Sequence, residues 1–262
     1  MTERENIRQR KEMGLPKPWS SDPVFQNTYF CNVHREHDKV TKYIRRMYNP
    51  HYADNKFVMN LVFARFINWP QTLEKIGYLH TLDRDALRKS LTELSNEGKI
   101  WGGAYIITTH GQRMGKIDYL VDQVLPDVEK LTIPMHHHMG CDIAHKALMT
   151  VDGLGSFLAA QIVADMKNTP FCWLGMADDW STFVAPGPGS IRGASWFFYG
   201  HTTGVTAATF GRHFAEIRKY VDANFDGELC NQDLQNCLCE FDKYMRVKTG
   251  TGRSKRGYNG RR

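Results

Sequence analysis

Apolar residues recur at three- and four-residue spacing along most of the chain, as they do in helices with one buried face. Val40, Tyr43, Ile44 and Met47 form one such stripe. Val58, Leu61, Val62, Ala64 and Phe66 form a second, which ends at the breaker Pro70. The pattern predicts further helices over 73–79, 83–95 with an Asp start, 117–128, 141–150, 156–166, 204–224 and 232–245. One stretch, 104–109 (AYIITT), is β-like, but alone it cannot build a sheet and reads as an extended loop or small hairpin. The expected fold is mainly α. Residues 1–24 carry charges and Pro16, Pro18 and Pro23 without a sustained period, and read as an arm or loosely attached segment. A helical domain is expected over 25–248, with room for two lobes, followed by a basic tail over 249–262.

Composition narrows the class. At 262 residues, 42% hydrophobic and 12% aromatic, the chain can bury a real core as one large domain or two small ones, which excludes disorder for most of its length. No run approaches ~18 uncharged apolar residues. The N-terminus MTERENIRQRKEMG has no apolar stretch, so neither a membrane partner nor secretion is expected, and the expected location is cytoplasmic. The six cysteines contain no CxxC pair and read as buried reduced thiols. No GxxxxGK[ST] sequence occurs, which excludes P-loop ATP chemistry for these residues. The net charge of +6 is concentrated at the end: Lys243, Arg246, Lys248, Arg253, Lys255, Arg256, Arg261 and Arg262 follow one another with no acid between them. A polyanionic partner suits such an end, with Arg246 and Lys248 as candidate DNA contacts.

The most informative motif joins two helical patterns through ALMTVDGLGSFLAAQIVAD, residues 147–165. It looks like a helix-hairpin-helix. Gly153 and Gly155 permit a tight turn, and free amides at the start of the second helix, near Ser156, would face a phosphate oxygen. Such a turn grips nucleic-acid backbone without reading sequence, although a plain helical hairpin also uses glycine. After it come WLGMADDW (173–180) and FVAPGPGSIRG (183–193). A hairpin followed by a Gly/Pro-rich stretch and an acid resembles the DNA glycosylase superfamily, with Asp178 and Asp179 near the position of its catalytic Asp. Phe157 stands where a bifunctional glycosylase would carry its Schiff-base lysine, and no four-Cys iron–sulfur loop follows, so lyase chemistry is not expected.

A closer resemblance rests on FCNVHREHDKVT (30–41), PGSIRG (188–193) and LCEFDKY (238–244). Together these resemble the bacteriophage thymine-hypermodification family, comprising α-glutamyl- and putrescinyl-thymine pyrophosphorylases and the helical domain of 5-hydroxymethyluracil DNA kinases. The resemblance implies a glycosylase-like helical fold and an enzyme acting on DNA that carries modified thymine, in host cytoplasm. It implies replacement of a pyrophosphate on 5-hydroxymethyluracil by an amine co-substrate, an amino acid or polyamine. A separate 5-hydroxymethyluracil DNA kinase is an expected partner, since the transferase step suits a chain without a P-loop.

Such chemistry requires the nucleotide to be flipped into an aromatic-walled pocket, and Trp180, beside the acid pair, is the candidate wall. Arg192, on what reads as a Gly-rich loop, with Arg35 and Lys243, would hold the leaving pyrophosphate. Asp179 first, then Asp178, would take the proton of the incoming amine; adjacent loop residues do not easily face one pocket, so the other would cap a turn. Asn32 could pair with the uracil edge or stabilise a turn. No cofactor is required and no metal site is assigned. His137, Cys141 and His145 have ligand spacing in a region where exposed or phosphate-facing histidines are expected instead. The loop Asp222, Asn224, Asp226 to Asp233 matches an EF-hand pattern with Asp rather than Glu last, so calcium is possible there, while Asn231 or Asp233 could simply start the last helix. Two other readings stay open: a monofunctional glycosylase using Asp179 to activate water, and a non-catalytic helix-hairpin-helix DNA-binding protein.

Overall fold

A computed structural model describes residues 1–103, 105, 107–131 and 140–252. It is mainly α, with no strand among the described residues. In chain order the helices are α1 (Thr2–Glu12), α2 (Pro23–Asn27), α3 (Lys39–Tyr48), α4 (Phe57–Ile67), α5 (Pro70–Ile76), α6 (Arg84–Glu97), α7 (Lys116–Asp118), α8 (Leu125–Lys130), α9 (Cys141–Leu148), α10 (Ser156–Lys167), α11 (Pro188–Tyr199), α12 (Phe210–Asn224) and α13 (Asn231–Lys248). The β-like stretch 104–109 forms no strand in its described residues, and 104 and 106 lie outside them. None of the described helices is long and apolar enough to cross a membrane. The chain divides into two compact units: Lys39–Phe183, and Met1–Asp38 together with the chain from Val184 onward.

In the Lys39–Phe183 unit, α4 is apolar nearly all round and buried along its length. Its one cation, Arg65, is 2% exposed and pairs through two N–H groups with Asp165 of α10, itself 1% exposed. Arg65 also donates to Thr41 of α3, so one buried guanidinium ties three helices together. Burying an ion pair is tolerable when its hydrogen bonds are met, as here, and it fixes orientation more than it adds stability. Between α7 and α8 the backbone runs as a π-helix over Tyr119–Val124. Pro126 explains the placement: it lacks an N–H and would clash with the preceding turn of an α-helix, and a wider turn relieves both.

In the other unit the core is Val33 with Ala194 of α11, Phe210, Phe214, Ile217 and Val221 of α12, and Leu234, Cys237 and Leu238 of α13. Residues 1–24, expected as a loose arm, are tied into this unit. Arg4 is 8% exposed and donates to the Cys31 and Asn32 carbonyls, and Asp22 accepts from the Tyr244 hydroxyl at 2.6 Å. The helix α1 escapes the periodicity rule because its sequence, TERENIRQRKE, has no apolar stripe. Arg8 instead pairs with Glu5 and Glu12 along its surface.

Candidate functional site

The three separated motifs that set this sequence apart meet on α13. The Cys31 amide donates to Glu240 at 3.1 Å, and Lys243 donates to the Tyr29 carbonyl while its Nζ lies 4.8 Å over the Phe30 ring. Phe25, Phe30 and Tyr244 form one aromatic cluster, with ring centres 5.0–6.3 Å apart. On its other side α13 receives PGSIRG. This segment is the start of α11 and not the loop expected from its glycines: Pro188 takes the first turn, where its missing N–H costs nothing. Gly189 and Gly193 face α13, and a Cβ on Gly193 would stand 2.0 Å from the Leu238 carbonyl oxygen. These glycines bring two helices together; they do not cradle phosphate.

Arg192 follows from that packing. Its Nε and second guanidinium nitrogen donate to Asp242 at 3.0 and 2.9 Å. Asp242 is 1% exposed and also accepts from Arg246 at 3.2 Å and Trp196 at 3.3 Å. A buried carboxylate thus holds two guanidiniums, whose side chains keep 38% and 34% of their surface in solvent. Lys248, one turn beyond, has its Nζ 5.6 Å over the Tyr244 ring. Arg35 is buried, its backbone N–H donating to Asp233 at 3.0 Å and its guanidinium lying 3.5 Å from Glu36. That placement sets Arg35 apart from the cations at the surface.

Beside the Phe30–Asn32 segment is a cavity of about 400 Å³, within the usual range for small-molecule sites. Arg4, Arg8, Lys11 and Lys17 bring positive charge to its lining; Trp19, Phe25 and Phe30 bring aromatic surface; Asn32 is also at its edge. Lys11 and Lys17 lie 4.9 and 5.1 Å over the Trp19 ring. Asn32 closes a turn, its backbone N–H and side-chain amide both donating to Asp38. Apart from Asn32, the sequence reading overlooked this lining. The available signal was the i, i+4, i+7 spacing of Arg4, Arg8 and Lys11 on one helical face.

In the Lys39–Phe183 unit the turn between α9 and α10 has Gly153 at φ +89°, as a tight turn requires. Gly153 is not the exposed glycine, however. It is buried under Tyr119, whose hydroxyl would be 2.7 Å from an added Cβ. Only Gly155 is open: it begins α10, no side chain caps the amides there, and the Ser156 carbonyl accepts from or faces His145 Nε2 at 2.9 Å. Asp179 caps the neighbouring helix. Its two oxygens accept the Cys141 and Asp142 amides at 2.6 and 3.0 Å, replacing the side chain that Gly140 lacks. Burial, together with the nearby Asp179 carboxylate, pushes the Cys141 thiol up to about 12. Asp178 is exposed and has no hydrogen bond or ion pair among the described residues. Trp180 is also structural: its indole N–H donates to the Lys167 carbonyl at 2.7 Å, and Lys167 Nζ returns a bond to the Trp180 carbonyl at 2.6 Å.

Across the chain, a family model described as 5-hmdU DNA kinase, helical domain, matches residues 1–254. The chain belongs to that family. A curated relative, the 5-hmdU DNA kinase of Bacillus phage SP10, is 35% identical over 85 residues, which is 30% of this chain and 13% of the relative. No solved structure matches. For this member of the hmdU-kinase helical-domain family, the motifs that carried the resemblance are therefore joined in space around α13. The expected acid loop and hairpin belong to the Lys39–Phe183 unit.

The metal expectations fare differently. Among the described residues no group of three His, Cys, Asp or Glu side chains could hold an ion, and His136, His137 and His138 lie outside the described residues. The EF-hand-like side chains turn to other partners: Asp222 to Arg218, the Asn224 amide to the Tyr220 carbonyl, and Asp233 to the Arg35 amide and His34. Phe225, inside this loop, packs on the core.

Proposed function

We propose that this chain modifies thymine-derived bases in DNA, and that its step replaces the pyrophosphate of 5-pyrophosphoryloxymethyluracil with an amine. The observation that carries the reading is the meeting of the three family motifs on α13, beside a cationic, aromatic-walled cavity edged by Asn32. A flipped pyrimidine and its pyrophosphate need aromatic surface for the ring and cations for the oxygens. Lys11 and Lys17, with Trp19 and Phe30, offer that combination, while Arg8 is paired with Glu5 and Glu12 and Arg4 with the Cys31 and Asn32 carbonyls. Arg192 and Arg246, held by Asp242, are a second anion-facing pair, with Lys243 and Lys248 on the same helix.

In the reaction the amine nitrogen bonds to the 5-methylene carbon as the carbon–oxygen bond breaks. The leaving pyrophosphate takes the electron pair and the nitrogen loses a proton to a carboxylate. Of the two acids of the Lys39–Phe183 unit, Asp178 keeps both oxygens open, whereas both oxygens of Asp179 already cap α9. The open amides at Gly155 and Ser156, at the positive end of α10, would contact the DNA backbone. A 5-hydroxymethyluracil DNA kinase would supply the phosphorylated base as a separate partner.

Pyrophosphate release tests the step. DNA carrying the pyrophosphorylated base is mixed with the protein and a panel of amino acids and polyamines. Pyrophosphate should appear only with the right amine. Free base instead of pyrophosphate would make the protein a glycosylase, and neither product would leave a binding protein.

A further inference from the structure

Phe171 is the most exposed large apolar residue among the described residues, at 87%, and it stands at φ +64°. A bulky residue in the left-handed region is strained, and such strain persists only where the surroundings impose it. Here they do. The Cys172 amide donates to the Thr169 carbonyl at 3.1 Å, closing a turn with Pro170 second and Phe171 third, the position that normally calls for glycine or asparagine. Cys172 is 3% exposed and Thr169 1%, so both ends of the turn are anchored while its tip carries a phenyl ring into solvent.

The surroundings of that ring point to one class of partner. Phe171 and Pro170 line a groove of about 410 Å³ with Tyr52, Arg45 and Arg46. The Tyr52 and Phe171 rings are 6.0 Å apart. Below them α3 reads KVTKYIRRMY, four cations and no acid. Arg45 is fixed, donating to the Asp165 and Ala164 carbonyls near the end of α10. Arg46 is exposed with its guanidinium carbon 5.5 Å over the Tyr43 ring, and no carboxylate pairs with Lys39, Lys42 or Arg46 among the described residues. Uncompensated cations beside projecting aromatics suit a polyanion with open π-faces.

We infer that the Thr169–Cys172 turn and α3 form a DNA contact in which Phe171 stacks on an unpaired or unstacked base while Lys39, Lys42 and Arg46 meet the adjacent phosphates. The inference rests on the proposed action on DNA for the identity of the strand, but its residues are separate from the α13 cluster and its cavity. It also accounts for a phenyl ring where glycine would be unstrained.

The strain makes the test clean. Phe171→Gly should fold with a melting temperature equal to or above that of the parent, because glycine suits a positive φ. It should bind single-stranded and mismatched DNA roughly tenfold more weakly, the loss expected for one base stack. The fluorescence change of 2-aminopurine on binding should disappear, and Phe171→Trp should restore it. Lys42→Ala and Arg46→Ala should each flatten the salt dependence of binding by about one counterion. Parental affinity and parental 2-aminopurine response in Phe171→Gly would overturn the inference, as would a change confined to self-association in sedimentation. If these binding results hold but no pyrophosphate is released, the contact stands and the proposed reaction falls. The reverse result separates them the other way.

Discussion

Gly193 rests so closely on the Leu238 carbonyl that a methyl group at its Cα would lie 2.0 Å from that oxygen. The carbonyl is backbone and cannot swing away, so Gly193→Ala must push α11 off α13. We expect a loss of about 3 kcal/mol or more, at the upper end of overpacking costs. Gly189 is the control. Its added Cβ would meet the Cys239 Sγ at 3.2 Å, a side-chain atom that can yield, and alanine gains up to about 1 kcal/mol in helix propensity. Gly189→Ala should therefore be near neutral in thermal melts. Equal effects at the two positions would contradict this packing.

Asp242 is the buried end of a network whose cations reach solvent. Asp242→Ala leaves Arg192, Arg246 and the Trp196 N–H without their acceptor, and we expect destabilisation of about 3 kcal/mol, the low end for breaking a buried pair because both guanidiniums can rehydrate. Urea denaturation measures this. The double variant Arg192→Ala with Asp242→Ala should cost less than the sum of the single changes.

His34 and Asp233 predict a pH response. The Asp233 carboxylate, 3.8 Å from the ring, holds the His34 imidazole above its ordinary value. Burial alone would raise the Asp233 carboxyl, but His34, the Arg35 amide and Cys230 hold it below its usual range. Because the histidine value is raised on folding, its stabilisation is complete below about 6.5 and is lost as pH rises through the raised value. Because the aspartate value is lowered, its share is present above about 3.9 and is lost as pH falls through the folded value. In NMR titrations Asp233→Asn should bring His34 down toward its ordinary value. An unchanged His34 would refute the pairing.

Asp179 and Asp178 should separate by phenotype. Asp179→Ala removes the cap of α9 and should cost about 1–2 kcal/mol, while Asp179→Asn, which keeps one acceptor, should cost less. Asp178→Asn should leave melting unchanged and abolish turnover with DNA affinity retained. Loss of turnover at Asp179→Asn alone, with stability intact, would return the proton-accepting role to Asp179.

The readable parts of the fold were those whose signal is local. The stripes of α4, α6, α10 and α13 and the Asp83 cap lie within a few residues of one another, and Asp83 does accept the Ala86 amide at 3.0 Å. What escaped depends on distant partners. α11 hides behind low-propensity glycines that only the α13 backbone explains, and α1 has no apolar face. The capping role of Asp179 is invisible until Gly140, far upstream in the sequence, is placed beside it. The EF-hand pattern at 222–233 matches in type and order, but Arg218, one turn earlier on α12, claims its first ligand. Gly153 was correct as a turn residue yet lies under Tyr119, leaving Gly155 as the exposed position.

The most direct test is mass spectrometry of nucleosides digested from DNA bearing 5-pyrophosphoryloxymethyluracil after incubation with the protein and candidate amines. The account predicts a thymidine-derived nucleoside whose 5-methylene carries the amine, with its mass shifted by the matching amount. Recovery of the starting nucleoside with every amine, or of abasic sites, would contradict it.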